Sequence, residues 1–250
     1  MSVPVDWIAA DWAAPKGIVA GCTTRTGGVS KGTFESLNLG AHVGDLQENV
    51  AENRQRLVAQ CGLPAEPLWL TQVHGTEVAV DPESGHPHTA DAILTRAPNT
   101  VCAVMTADCL PVLLVSMNGD ELGAAHAGWR GLCGGVLESI LRAFQTPPEQ
   151  LLAWLGPAIA QKNFEVGDEV REAYLRHDEA AGECFTQNDR GRWQADLYGL
   201  ARQRLNTAGV HQISGGELCT YDDSECFFSY RRDGQCGRMA SFVFRHGESP

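Results

Sequence analysis

Residues 101–131 read V-C-A-V-M-T-A-D-C-L-P-V-L-L-V-S-M-N-G-D-E-L-G-A-A-H-A-G-W-R-G. Two apolar runs, Pro111–Met117 and Glu121–Ala127, flank Asn118-Gly119. Asn-Gly between such runs is the strongest short signal for a β-hairpin, because both turn residues favour positive φ. A two-residue turn fixes the register. Met117 faces Asp120, and counting outward places Pro111 opposite His126. Cys109, two residues beyond Pro111, then points to the same face as His126. Diagonal cross-strand neighbours lie roughly 7–8 Å apart, so turn geometry alone brings a thiol and an imidazole within joint reach of a ligand. Asp108-Cys109 is a polar break between apolar runs, and Pro111, with no N–H, is expected to stop the strand ladder there. Small residues from Ala124 to Gly128 leave space around His126. A buried structural thiol and a satisfied core histidine are the plainer alternative.

The chain has 250 residues, 43% hydrophobic and 20% charged, which suits a globular core. A net charge of −12 argues against non-specific nucleic-acid or anionic-membrane binding. Residues 1–17 have neither a basic stretch nor a continuous apolar run, so no signal peptide is read there. No run reaches the ~18 apolar residues of a membrane span. Nine cysteines without a C-x-x-C pair indicate reduced thiols and a cytoplasmic setting.

Strands are expected at Lys16–Thr24, Leu68–Val73, Thr76–Val80, Ala90–Leu94, Val101–Met105, Gln150–Leu155, Cys226–Tyr230 and Met239–Phe244. Apolar residues at helical spacing predict helices over Leu46–Cys61, Leu132–Phe144, Val166–His177 and Asp196–Ala208. Gly62 and Pro64 terminate the first of these. No linker or repeat divides the chain. The expectation is one α/β domain with mixed β-sheets flanked by helices.

His74 stands at a strand end before Gly75, where site residues often lie. With Cys109 and His126 it makes a Cys/His₂ set without an evident fourth ligand. Three protein donors and an open position is the catalytic zinc arrangement; copper also accepts these donors. The same set admits another chemistry, with Cys109 as nucleophile and His126 or His74 as its base. The Gly-rich turn after Arg25 is a weak candidate for an anion nest. The pair Arg231-Arg232 at a turn is a weaker one.

At these residues the chain resembles the bacterial YfiH family, also called the laccase-domain or multicopper polyphenol oxidase family. T-Q-V-H-G at 71–75, M-T-A-D-C-L-P-V at 105–112 and A-A-H-A-G-W-R-G at 124–131 carry the likeness. S-L-N-L-G at 36–40, W-L-G-P-A-I at 154–159, F-E-V-G at 164–167 and F-F-S-Y-R-R at 227–232 extend it over nearly the whole chain. The resemblance implies a single α/β domain related to cysteine-dependent deamidase toxins, with His74, Cys109 and His126 as zinc ligands. It implies purine nucleoside phosphorylase activity on adenosine, inosine, guanosine and methylthioadenosine, together with adenosine deamination. Copper-dependent polyphenol oxidation is the older attribution, and peptidoglycan-precursor editing is attached to some members. A multicopper laccase needs repeated H-x-H pairs, whereas His86-Pro87-His88 is the only one here among eight histidines. Within the matching motifs, Arg25, Arg130 or Arg231 is a candidate phosphate ligand because planar guanidinium suits bidentate contact. Asn38 and Gln72 are candidates for reading base or ribose edges. Asp108 is a candidate to orient a ligand histidine or carry a proton.

Overall fold

The computed structural model describes residues 3–86 and 88–247. Pro87 of the H-x-H segment, and Met1 and Ser2 of the amino-terminal stretch, lie outside them. The chain opens with β1 (Trp7–Ala9), β2 (Ile18–Thr23) and α1 (Gln47–Gln60). The strands β3 (Leu70–Thr71), β4 (Val78–Val80), β5 (His88–Thr89), β6 (Ala92–Thr95) and β7 (Cys102–Thr106) follow. The hairpin is β8 (Leu110–Ser116) and β9 (Leu122–Ala127), and α2 (Trp129–Gly134) and α3 (Val136–Ala143) come after it. Then come β10 (Leu151–Leu155), β11 (Glu165–Val166), α4 (Asp168–Leu175), β12 (Phe185–Gln187), β13 (Trp193–Ala195) and α5 (Leu197–Thr207). The chain closes with β14 (Gln212–Gly215), α6 (Tyr230–Asp233) and β15 (Met239–Arg245).

The hairpin has the expected register, with Pro111 opposite His126. Its turn differs from the expectation. The strands part after Ser116, Gly119 donates its N–H to the Ser116 carbonyl at 2.8 Å, and Gly119 alone of the Asn-Gly pair has positive φ. Pro111 does not stop the ladder either. His126 turns its N–H the other way, to the Asp91 carbonyl at 2.7 Å, so Pro111 and His126 form a pair that exchanges no hydrogen bonds. The missing N–H therefore costs this pair nothing.

Six strands in the order β14-β10-β8-β9-β6-β4 make one sheet, and β1-β2-β15-β7 make a second. The larger sheet is mixed: β10–β14 and β4–β6 are parallel, and its remaining pairs are antiparallel. All seven residues of β8 are buried, which explains its unbroken apolar run: both faces are covered. Alternate residues serve different cores because strand side chains alternate in direction. Val112 and Leu114 face the helical side with Leu137, Ile140 and Leu200. Leu113 and Val115 face the second sheet, meeting Val104, Met239 and Val243. The far side of that sheet presents Ala103, Phe242 and Phe244 to Leu57 of α1. The result is four layers, helix, sheet, sheet and helices, in a single α/β domain.

Two expected elements change. The helix expected at Leu132–Phe144 is two helices, α2 and α3, which start from Trp129 and part at Gly135, where φ is +100°. The strand expected at Cys226–Tyr230 is instead a loop leading into α6. Asp223 accepts the Cys226 N–H and Ser229 caps α6 by accepting the Arg232 N–H, so side chains take the backbone donors that a sheet would need.

Glu121, 4% exposed beside the hairpin turn, accepts N–H bonds from Gln145 and Thr146 and pairs with Arg96 at 2.9 Å. Burial pushes its carboxyl up, yet these donors and the Arg96 charge hold it below the usual glutamate range. A depressed carboxyl stabilises the fold above its unfolded value and loses that contribution as pH falls through the folded one. Glu121→Gln is expected to lose about 2 kcal/mol at about pH 7, with a smaller gap near pH ~4, in denaturant unfolding.

Candidate metal centre and its cavity

Each donor enters by a different device. Cys109 ends the short link Ala107–Cys109, which carries the chain from β7 in one sheet to β8 in the other. Asp108 in this link has φ +86°, in the left-handed region that non-glycine residues rarely adopt, and Cys109 beside it lies with His126, as the hairpin register implied. His74 has φ +60° in the loop between β3 and β4. Two non-glycine residues in the left-handed region within one site mark a backbone held by its surroundings. His126 is the penultimate residue of β9 and is 3% exposed.

The donor atoms of His74, Cys109 and His126 all lie within 4.8 Å of one another. The thiol is 4.0 Å from His74 Nε2, and the two imidazole rings meet edge to face at 4.7 Å. A soft thiolate and two imidazoles suit a zinc or copper ion. Gly128 makes room beside them: a Cβ there would sit 2.9 Å from Cys109 Sγ and 3.2 Å from His74 Cδ2.

Asp91, which the sequence reading did not single out, holds this geometry. Its carboxylate accepts N–H bonds from Val73 at 3.1 Å, His74 at 2.9 Å and Gly75 at 2.6 Å, and meets His126 Nδ1 at 2.8 Å. With Nδ1 engaged, Nε2 is left for the centre, the usual way a ligand histidine is oriented. Burial raises the Asp91 carboxyl, but the bonds from His126 and the loop amides bring it below its ordinary value. Burial also raises the Cys109 thiol, but the neighbouring His126 charge and the hydrogen bonds from both histidines bring it well below the ordinary thiol. Burial lowers His126, but the Cys109 charge and Asp91 raise it above the ordinary imidazole. Both shifts act in one direction, toward a thiolate–imidazolium pair backed by a carboxylate. The available signal for Asp91 was a lone acid inside the apolar run Ala90–Leu94.

The centre opens into a cavity of about 410 Å³, also lined by Gln72, Met105, Phe164, Arg231 and Arg238. Of the residues singled out from sequence, Asp108, Gln72 and Arg231 join the donors here. Asp108 orients neither histidine. Its carboxylate accepts the Thr220 hydroxyl and the Arg231 N–H, both at 2.6 Å, and so ties α6 to the thiol loop. Gln72 spends both ends of its amide on the Met105 backbone. Arg25, Asn38 and Arg130 do not line the cavity. Arg25 donates to the Glu35 and Ser224 carbonyls, and the Gly28 and Val29 amides beside it go to Ser36 and Asn53. Buried Asn38 binds Asp45 and the Gly40 and Arg238 amides. Arg130 is exposed and stacks on Trp129 at 4.4 Å.

Fold and donor set define an α/β protein with an open His–Cys–His centre above a ligand-sized cavity. The chain belongs to the YfiH family: the family model described as "Multi-copper polyphenol oxidoreductase laccase" matches residues 19–246. It is 54% identical over 240 residues to "Purine nucleoside phosphorylase YfiH" of Escherichia coli K12, covering 95% of this chain and 98% of the relative. It is 51% identical to "Purine nucleoside phosphorylase" of Haemophilus influenzae, covering 94% and 97%. The crystal structure of Neisseria meningitidis protein NMB0706 superposes with TM-score 0.93 at 46% identity, covering 97% of this chain and all of that one. YlmD from Geobacillus stearothermophilus gives TM-score 0.87 at 33% identity, covering 97% of each. No helix among the described residues is long and apolar enough to cross a membrane.

Asp91→Asn replaces the carboxylate with an amide and is expected to weaken zinc binding about 10–100-fold, as outer partners of ligand histidines do. Gly128→Ala is expected to weaken it by intruding on the donors while leaving Asp91 intact. Competition titration against a chromophoric chelator measures both; unchanged affinity in both variants would contradict this site.

Proposed function

We propose that the protein is a zinc-dependent purine nucleoside phosphorylase that also deaminates adenosine, acting in the cytoplasm on small-molecule substrates. The observation that carries this reading is the open three-donor set facing a cavity of about 410 Å³, a size within the usual range for small-molecule sites. The names of the E. coli and H. influenzae relatives support it. In phosphorolysis, a phosphate oxygen bonds to C1′ of the ribose as the C1′–N bond breaks. Its electron pair leaves on the base, which takes up a proton. In deamination, water oxygen bonds to C6 and ammonia departs.

His74, Cys109 and His126 would hold the ion, which when bound supplies Lewis-acid polarisation beside the substrate. Asp91 fixes the tautomer of His126 and the path of the His74 loop. Asp108 holds Arg231 at the cavity, where a guanidinium suits phosphate. Phe164, Met105 and Ile159 supply apolar wall for a base or ribose. The described residues gather one three-donor metal group, whereas moving electrons between several coppers needs several, so nucleoside chemistry is preferred to laccase chemistry.

A second reading has a specific observation behind it. Cys109, His126 and Asp91 run in the order nucleophile, base and orienting acid, which suits a cysteine amidohydrolase. Thiol alkylation would then abolish activity that chelation spares.

Chromatography of adenosine incubated with zinc-loaded protein tests the reading. Adenine is expected only with phosphate present, inosine or hypoxanthine alongside, and both are expected to vanish in Cys109→Ala. Unchanged adenosine in every reaction would refute it, and turnover of a phenolic substrate by copper-loaded protein would then favour oxidation.

A further inference from the structure

The cavity holds two guanidinium groups that the rest of the protein leaves unneutralised. Arg231 uses one side-chain nitrogen on the Glu165 carbonyl, and Arg238 uses one on the Cys236 and Gly237 carbonyls. Among the described residues neither meets a carboxylate within salt-bridge distance, and their other guanidinium nitrogens have no oxygen partner. The contrast with Arg232 is local. That side chain pairs with Asp233 and donates to the Thr220, Tyr221 and Phe227 carbonyls. It is a structural clamp, whereas Arg231 beside it and Arg238 six residues on are not. The chain carries 31 acidic residues against 19 basic ones, so leaving two cations without acids in one cavity is a local choice.

Both groups are oriented without being discharged. Arg231 lies over the Phe164 ring at 5.2 Å, and Arg238 over Tyr230 at 5.9 Å. Aromatic faces steer a guanidinium while keeping its charge and edge donors available. Asp108 is the acid on this wall, and both its oxygens are already engaged by Thr220 and the Arg231 backbone. His42 shares the cavity; partial burial and then the charges of Arg238 and Arg54 hold it below the ordinary imidazole.

We propose that Arg231 and Arg238 form an oxyanion subsite that takes inorganic phosphate as the second substrate. Arg238, His42 and Tyr230 were not among the residues singled out from sequence. The proposal rests on the phosphorylase reading for the role of phosphate, and on the cavity's own charges for its location. Two planar forks suit a tetrahedral dianion. The same cavity offers apolar wall to the nucleoside, so nucleophile and sugar meet beside the metal centre.

Isothermal titration of the zinc-loaded protein with inorganic phosphate tests this in wild type, Arg231→Gln, Arg238→Gln and Arg238→Lys. Each Gln variant is expected to raise the dissociation constant about tenfold or more, the loss of one charge-assisted contact, and Lys to restore part of it. In steady state the phosphate KM is expected to rise similarly while the nucleoside KM moves less than about twofold. Arg238 also packs on Gly40, so thermal unfolding accompanies each variant and Arg231→Gln serves as the independent one. Phosphate bound as tightly by folded Arg231→Gln and Arg238→Gln as by the wild type would overturn the subsite. Variants that lose affinity for adenosine 5′-monophosphate but keep it for inorganic phosphate would overturn the choice of ligand. Arg-dependent phosphate binding in a protein that releases no base would leave the subsite standing and remove the phosphorylase reading.

Discussion

The buried carboxylate of Asp91 ties the loop carrying His74 to the strand carrying His126. It takes three successive amide N–H groups of that loop and the outer nitrogen of the ring. Without it the loop has no reason to place His74 at positive φ, and His126 has no fixed tautomer. Burying such a charge is costly unless every oxygen is satisfied, and here four donors satisfy it. The same charge favours the imidazolium that depresses the Cys109 thiol. A charged network inside the fold thus converts three residues from separate segments into one donor set.

The layers explain where that network sits. The thiol loop crosses from one sheet to the other, so Cys109 stands at the seam between them. The seam is held by cores on both faces of the six-stranded sheet. Around the opening, Asp108 joins the thiol loop to α6, which presents Arg231. Cavity wall and thiol loop are therefore joined through one side chain.

Much of this was legible in the chain. Asn118-Gly119 marks the hairpin, and a register counted from it sets Pro111 against His126, as found. Gly62 and the apolar spacing bounded α1 well, and the apolar spacing alone bounded α5. Other features had no local signature. Asp91 sits in an apolar strand, and only its long-range partners reveal its purpose. Asp108 lies beside Cys109 in sequence, yet its side chain turns to Thr220 and α6 because positive φ directs it there. Pro111 carries a ladder-breaking signal that its non-hydrogen-bonded position removes. The loop at Cys226–Tyr230 has strand-like composition, but Asp223 and Ser229 claim its backbone donors. Arg231 and Arg232 are indistinguishable by sequence and opposite in use.

X-ray absorption at the zinc edge of protein loaded with one equivalent of zinc tests the central claim most directly. The account predicts one sulfur at about 2.3 Å and two imidazole nitrogens at about 2.0 Å, with a light atom completing the shell. A shell of oxygen and nitrogen alone, with no sulfur, would contradict it.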